Sequence, residues 1–236
     1  MSTTLEGTPN PEAPNPQLPI VQKLRVRYAK RGRLRFTSHR DFGRAFERAV
    51  RRARVPIGYS SGFTPHPKIS YANAAPTGAA SEAEFLEIGL TQVCDPDQVR
   101  ASLDAALPPG LDIVAVVQAP EGTFADRLAA SLWSIRVDGA TGLDAAAAAF
   151  LAADDISVER MTKRGMRDID VRAAVVSLVV DAQTVDAVVL STIPTVRPDD
   201  VIQALRQLGA DVPGAPVSTR VEQGPLVDGT VQDPLA

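Results

Sequence analysis

Lys23-Leu-Arg-Val-Arg-Tyr-Ala-Lys30 and, six residues on, Thr37-Ser-His-Arg-Asp-Phe-Gly-Arg-Ala-Phe-Glu-Arg-Ala-Val-Arg-Arg-Ala53 set two different periods close together. In the first run Leu24, Val26 and Tyr28 alternate with Lys23, Arg25 and Arg27, which is the period of a strand with one apolar face. In the second, Phe42, Ala45, Phe46, Ala49, Val50 and Ala53 recur at i, i+3, i+4 and i+7, the stripe of an amphipathic helix. Ser38 is placed to cap that helix, with Asp41 three residues on as its reciprocal partner. The opposite helical face carries Arg40, Arg44, Arg48, Arg51 and Arg52. Between the two runs Gly32 permits a turn, and Leu34-Arg-Phe36 reads as a resumed strand.

Beyond the helix, Val55 to Lys68 holds Pro56, Gly58, Gly62, Pro65 and Pro67, which forbid regular structure over most of its length. Strands are expected at Ile69 to Ala72, Phe85 to Leu90 and Asp112 to Gln118. A helix is expected from Asp95, as N-cap ahead of Pro96, to Leu107. The order is β-α-β-β-α-β. The second half repeats it more loosely, with a strand at Ser131 to Val137 and an Ala-rich helix at Gly142 to Ala153. Strands follow at Ile156 to Lys163 and Ile169 to Asp181, the latter pairing with Ala187 to Ser191. A helix at Pro198 to Leu208 and a strand at Pro216 to Val221 complete it. The predicted fold class is α+β, built of two tandem ferredoxin-like halves. The expected domains are 21–120 and 130–222, with a linker at 121–129. A disordered Pro-rich arm at 1–20 and a disordered tail at 223–236 complete the division.

Composition narrows the function classes. The chain has 236 residues, a formal net charge of -3 and one cysteine. Cys94 alone supports neither a disulfide framework nor a cysteine-held zinc or iron–sulfur centre, so no cofactor and no metal are expected. No apolar run approaches the ~20 residues of a membrane span, and the start of the chain lacks a signal-peptide pattern. The expectation is therefore a cytoplasmic protein with no membrane contact. Charge distribution says more than its total. Lys23 to Lys68 holds 14 of the 25 Lys/Arg and two of the 28 Asp/Glu. Such asymmetry marks a directed electrostatic site.

The residues expected to touch a polyanion are Arg25, Arg27, Arg33, Arg40, Arg44, Arg48, Arg51, Arg52, His66 and Lys68. RNA is the expected partner, because phosphate contacts draw on such arrays. The competing reading of the helix face is a solvated face, or one paired with the acidic second half. Alternation could also send the strand's basic residues to the opposite sheet face. In Gly62-Phe-Thr-Pro-His-Pro-Lys68 two prolines stiffen the backbone around His66, so the imidazole is presented with little entropy to lose. His39 at the helix start, with Arg40, His66 and Lys68, could converge on one phosphate. That set also offers an alternative, a metal-independent ribonuclease with His39, His66 and Lys68 as acid, base and phosphate stabiliser. Glu82, Glu84 and Glu87 read as ion-pair partners for the arginines. Lys163, Arg164 and Arg167 around Gly165 read as a basic turn.

Four runs together resemble a known family. They are Arg33-Leu-Arg-Phe-Thr-Ser-His-Arg-Asp41, Glu47-Arg-Ala-Val-Arg-Arg52, Ser61-Gly-Phe-Thr-Pro-His-Pro-Lys-Ile-Ser70, and Gly78 with Ser81-Glu-Ala-Glu-Phe-Leu-Glu-Ile88. They look like the radical-SAM-linked bacterial family, over roughly Lys23 to Val117 and more weakly beyond. Its members occur beside radical SAM proteins or fused behind them, and some are encoded near ribonuclease E/G and ribosomal protein genes. The resemblance implies a separate radical SAM protein as partner. This chain lacks the three thiolates of a [4Fe–4S] cluster. The expected function is a non-catalytic accessory module that holds RNA for such a partner, in tRNA or rRNA modification or ribosome-linked RNA metabolism. A protein-interaction adaptor is the remaining alternative.

Overall fold

The computed structural model describes residues 18–120, 122–162 and 165–236. The arm before residue 18 and the basic-turn residues Lys163 and Arg164 lie outside the described residues. The chain is an α+β protein with most of its strands in one eight-stranded sheet.

The first half runs β1 (Gln22–Lys30), α1 (His39–Arg52), β2 (Ile69–Ala72), β3 (Ala80–Leu90), α2 (Pro96–Ala106) and β4 (Leu111–Gln118). Its strands lie in the order β4-β1-β3-β2, every pair antiparallel. The second half runs β5 (Ala130–Arg136), α3 (Leu143–Ala152), a separate hairpin of β6 (Ser157–Thr162) and β7 (Gly165–Asp170), then β8 (Val175–Asp181), β9 (Thr184–Leu190), α4 (Pro198–Gln207) and β10 (Val217–Gly224). Its sheet order is β10-β5-β9-β8, again antiparallel throughout. Set the hairpin aside and both halves have the split βαβ arrangement, in which two parallel strands flank an antiparallel third.

The halves share one sheet. β3 is 11 residues long, and β2 covers only Phe85 to Ile88 of its free edge. β10 pairs in parallel with the start of the same edge, at Ala80 and Ser81. The segment expected as a linker is packed rather than loose. Phe124 and Leu128 are buried against Ala83 and Phe85, with Leu235 from the C-terminal end beside them.

Two helix-covered cores follow from the periodicities. Leu24, Val26 and Tyr28 of β1 pack with Phe42, Phe46 and Val50 of α1 and Leu103 of α2. The Phe42 ring stacks on Tyr28 with centroids 4.0 Å apart. In the second half Ile135, Ala187, Phe150, Val201 and Leu205 form the equivalent layer. The caps are as the sequence implies. Ser38 Oγ accepts from the Asp41 N–H at 3.2 Å and donates to Asp41 Oδ2 at 2.6 Å. The Asp95 carboxylate accepts from the Asp97 N–H at 2.8 Å.

Three expectations change. Gly32 to Phe36 is a 3-10 turn, not a strand, because the Arg31 N–H is already spent on the Gly110 carbonyl and the Leu34 N–H closes back on Arg31. The strand expected over Ile169 to Asp181 is broken at Val171 to Ala174. There the Asp170 carboxylate accepts from the Ala173 N–H and the Ala174 N–H bonds to the Val171 carbonyl. The tail expected at 223–236 is folded: β10 extends to Gly224, and β11 (Leu226–Val227) pairs with β12 (Thr230–Val231), which buries Val231.

Candidate nucleic-acid interface

α1 builds the surface. Its apolar stripe turns Phe42, Phe46, Ala49 and Val50 inward, which leaves Arg40, Arg44, Arg48, Arg51 and Arg52 exposed. Arg40, Arg44, Arg48 and Arg52 step by four residues and so lie in one row, about 18 Å long at 1.5 Å per residue. Among the described residues no ion pair engages any of the five. The acidic second half does not neutralise them. Arg52 makes one long contact, Nη1 to the Ala106 carbonyl at 3.5 Å. An unpaired row of like charge on one helix is locally unfavourable by a few tenths of a kcal/mol per i, i+4 pair. A polyanion would relieve that repulsion.

Two aromatic-bearing segments belong to the same half. On the 3-10 turn Arg33 is exposed, and Arg35 stacks on Phe36 at 4.6 Å. Phe36 is itself exposed. The second segment is the Pro-His-Pro loop, which closes as a short ladder. The Lys68 N–H donates to the Gly58 carbonyl, the Ser60 N–H to the His66 carbonyl (both 2.8 Å), and the His66 N–H to Ser60 Oγ at 3.0 Å. Gly58 at the base packs against Ile20, whose Cδ1 would have to move to admit a Cβ there. The backbone of His66 is fixed by Ser60, and its side chain, like that of Lys68, stands in solvent. At the tip Phe63 is 89% exposed. Loops carried on a rigid scaffold are frequent carriers of binding residues.

Arg25 and Arg27 leave the interface. The alternation of β1 that sends Tyr28 to α1 sends Arg25 to the far sheet face, where it is 0% exposed. Its guanidinium donates to the carbonyls of Pro120 and Gly122 at 3.3 Å, pairs with Glu87 and lies over the Phe124 ring at 4.4 Å. Arg27 is half-buried and donates to the Glu82 carbonyl at 2.8 Å. The remaining eight, Arg33, Arg40, Arg44, Arg48, Arg51, Arg52, His66 and Lys68, are all exposed.

The residues of the catalytic alternative, His39, His66 and Lys68, are all exposed. His39 is exposed and rests edge-on against Tyr71, with ring centroids 4.7 Å apart. Lys68 precedes Ile69 and Tyr71, both packed into the α1 core, so alternation along β2 turns Lys68 to the other face. Among the described residues no hydrogen bond or ring contact joins His39, His66 and Lys68. Tyr71 is the titratable group beneath this surface. Its hydroxyl is buried without a hydrogen-bond partner beside Gly43. Burial first, and then the charge of Glu47, push its pKa up to about 12. Among the described residues no group of three or more His, Cys, Asp or Glu is placed to hold a metal ion.

The carboxylates of β3 pair with cations as expected, Glu82 with Arg31 and Glu87 with Lys23 and Arg25. Glu84 finds a partner from far along the chain. It is 1% exposed in its side chain and pairs with Arg220 of β10, itself 3% exposed. Arg220 also donates to the Asn73 carbonyl at 2.7 Å and to Ser81 Oγ at 3.4 Å. Glu84 accepts from the Ala75 N–H at 3.1 Å, and Lys30 Nζ reaches the Ala75 carbonyl at 3.4 Å. Burial lowers the Lys30 pKa, against the opposing pull of Glu84. This network sits on the β3–β10 seam. Nothing local in sequence announces it, because Arg220 and Glu84 are 136 positions apart.

The chain belongs to the family described as an uncharacterized protein conserved in bacteria (DUF2344), whose model matches residues 23–199. The match takes in α1, the Pro-His-Pro loop and the seam side of β3. Comparison with curated proteins finds no match. Among the described residues no helix is long and apolar enough to cross a membrane.

Proposed function

We propose that this protein is a non-catalytic RNA-binding module that presents RNA to a separate radical SAM protein, in tRNA or rRNA modification or related RNA metabolism. The observation that carries the RNA half of this reading is the α1 row, Arg40, Arg44, Arg48, Arg51 and Arg52, exposed and free of ion pairs among the described residues. A helix face of this kind tracks a phosphate backbone without reading sequence. RNA is favoured over other polyanions because exposed aromatic rings, Phe36 and Phe63, are carried by the same half. Unstacked bases of single-stranded RNA pack on such rings. The radical SAM half rests on the resemblance of the Gly62 to Lys68 run and its flanking motifs. The chain has no thiolate set of its own for the cluster, so the radical chemistry belongs to the partner.

The test is RNA binding of the full chain, measured by fluorescence anisotropy against salt concentration. Arg44→Glu with Arg48→Glu is expected to weaken binding at least about tenfold. It should also flatten the log–log salt slope by about two, because each arginine that no longer neutralises a phosphate removes about one released counterion. An affinity and slope identical to those of the unmodified protein overturn the assignment.

A further inference from the structure

Where the loop between β2 and β3 meets the segment leading into α4, the surface folds into a cavity of about 450 Å³. That size lies within the usual range of small-molecule sites, which form preferentially where structural units join. Its floor is made by a device in β10. Arg220 pairs across the sheet with Trp133, Glu222 with Leu132 and Gln223 with Ser131, so Val221 is an extra residue, a β-bulge. Without it, Arg220 and Gln223, three positions apart, would face opposite ways. With it, Trp133, Ser131, Arg220 and Gln223 all point to one face and line the cavity. Bulges that re-aim a side chain in this way are enriched beside functional sites.

Gln223 is the informative residue. It is 2% exposed, and its Oε1 has no hydrogen-bond partner. An orphaned buried amide oxygen costs about 1–3 kcal/mol, which a leucine of similar size would avoid. The fold keeps a polar amide on the cavity wall where the backbone needs none. Beside it, the Trp133 indole is 6% exposed and lines the cavity from within the second-half core, with the Arg220 guanidinium 5.6 Å from its ring centroid. Each Arg220 nitrogen already has a partner, in Ser81, the Asn73 carbonyl and Glu84, and its charge is paired with the Glu84 carboxylate. The anion-binding role falls to Arg197, which lines the same cavity, is exposed, and makes no ion pair among the described residues.

An unpaired amide calls for a hydrogen-bonding edge, an indole wall for a flat ring, and an exposed guanidinium for an anion. We infer that this cavity binds a nucleotide, with the base edge on Gln223, the base plane against Trp133 and the phosphate on Arg197. The nucleotide can come free from solution or as an unstacked residue of a bound RNA. The second source rests on the RNA reading of α1, and the first does not.

Trp133 is the only tryptophan in the chain, so intrinsic fluorescence reports directly on the cavity. The full chain is titrated with each of the four nucleoside monophosphates, with inorganic phosphate as control, into the millimolar range. Saturable quenching by at least one nucleotide, absent with phosphate, is expected. Gln223→Leu should weaken it roughly tenfold, the value of a lost hydrogen bond to a buried site. Arg197→Ala, at an exposed lining residue, should do the same, with thermal unfolding measured alongside because the Arg197 charge also acts on the buried Asp200 carboxylate. Arg44→Glu with Arg48→Glu should leave mononucleotide quenching intact, which separates the failure of the α1 reading from the failure of this one. Quenching by a short RNA that vanishes in that double variant, while monophosphates still bind, identifies RNA as a source. No response to any nucleotide, or equal affinity in Gln223→Leu and Arg197→Ala, overturns the proposal.

Discussion

Arg44 and Arg220 put the same guanidinium to opposite uses. On α1 the arginines stand in a row in water, with no carboxylate engaged among the described residues. At the β3–β10 seam Arg220 is enclosed and engages every nitrogen, on Glu84, Ser81 and the Asn73 carbonyl. A buried charge is costly unless it is paired and hydrogen-bonded. An exposed one needs no partner at all and remains available to a ligand. Basic residues in this chain therefore divide by what covers them, not by where the sequence concentrates them. Arg25 makes the point within the basic segment itself. It sits two residues from Arg27 and fifteen from Arg40, yet it is as enclosed as Arg220.

The most forceful challenge to this contrast is to remove one partner at the seam. Arg220→Leu leaves Glu84 buried and unpaired, and is expected to cost about 3–5 kcal/mol of stability. Denaturant unfolding should show the midpoint falling steeply, whereas Arg44→Leu should leave it unmoved. Adding Glu84→Leu to Arg220→Leu should recover much of the loss, since an apolar pair strands no charge. A small loss in the single variant would mean that the seam is wet or mobile and that the halves do not depend on it.

A second change probes the exposed side. Phe63→Ala on the loop tip should weaken single-stranded RNA binding by about 1–3 kcal/mol if one base stacks there. Thermal unfolding should not shift, because the ring is 89% exposed and supports no core. Equal losses on single-stranded and perfectly duplex RNA would point to charge rather than stacking.

The smallest effect tests the underside of α1. Tyr71→Phe removes a buried hydroxyl that has no partner, and should stabilise the fold by about 1 kcal/mol at neutral pH. It should also change the alkaline limb. Tyr71 keeps its proton in the folded state to about pH 12, while the unfolded chain releases it near the ordinary value of 10.0. Between those values the folded state binds more protons, so stability falls as pH rises. Tyr28, raised by burial and then by Glu84, adds to the same loss. Urea midpoints measured at rising pH should therefore decline less in Tyr71→Phe. An unchanged alkaline slope would place the Tyr71 hydroxyl in water.

α1 was legible from its own residues. Its cap, its apolar stripe and its arginine face depend on side chains within one or two turns of each other, where periodicity and capping chemistry act directly. The stiff loop around His66 was legible too, because prolines act on their own backbone. Every decision made by a distant segment stayed open. Period two showed that Arg25 points away from Tyr28, but not that Pro120 to Phe124 would fold over it. The turn at Asp170 to Ala174 interrupts an apolar run whose residues alone favour a continuous strand. The buried clasp of Glu84 with Arg220, and the bulge that lays Gln223 beside Trp133, exist only because β10 returns to the free edge of β3. Strand pairing over such separations is settled by which edges remain open and what volume remains to be filled, and those are properties of the assembled sheet.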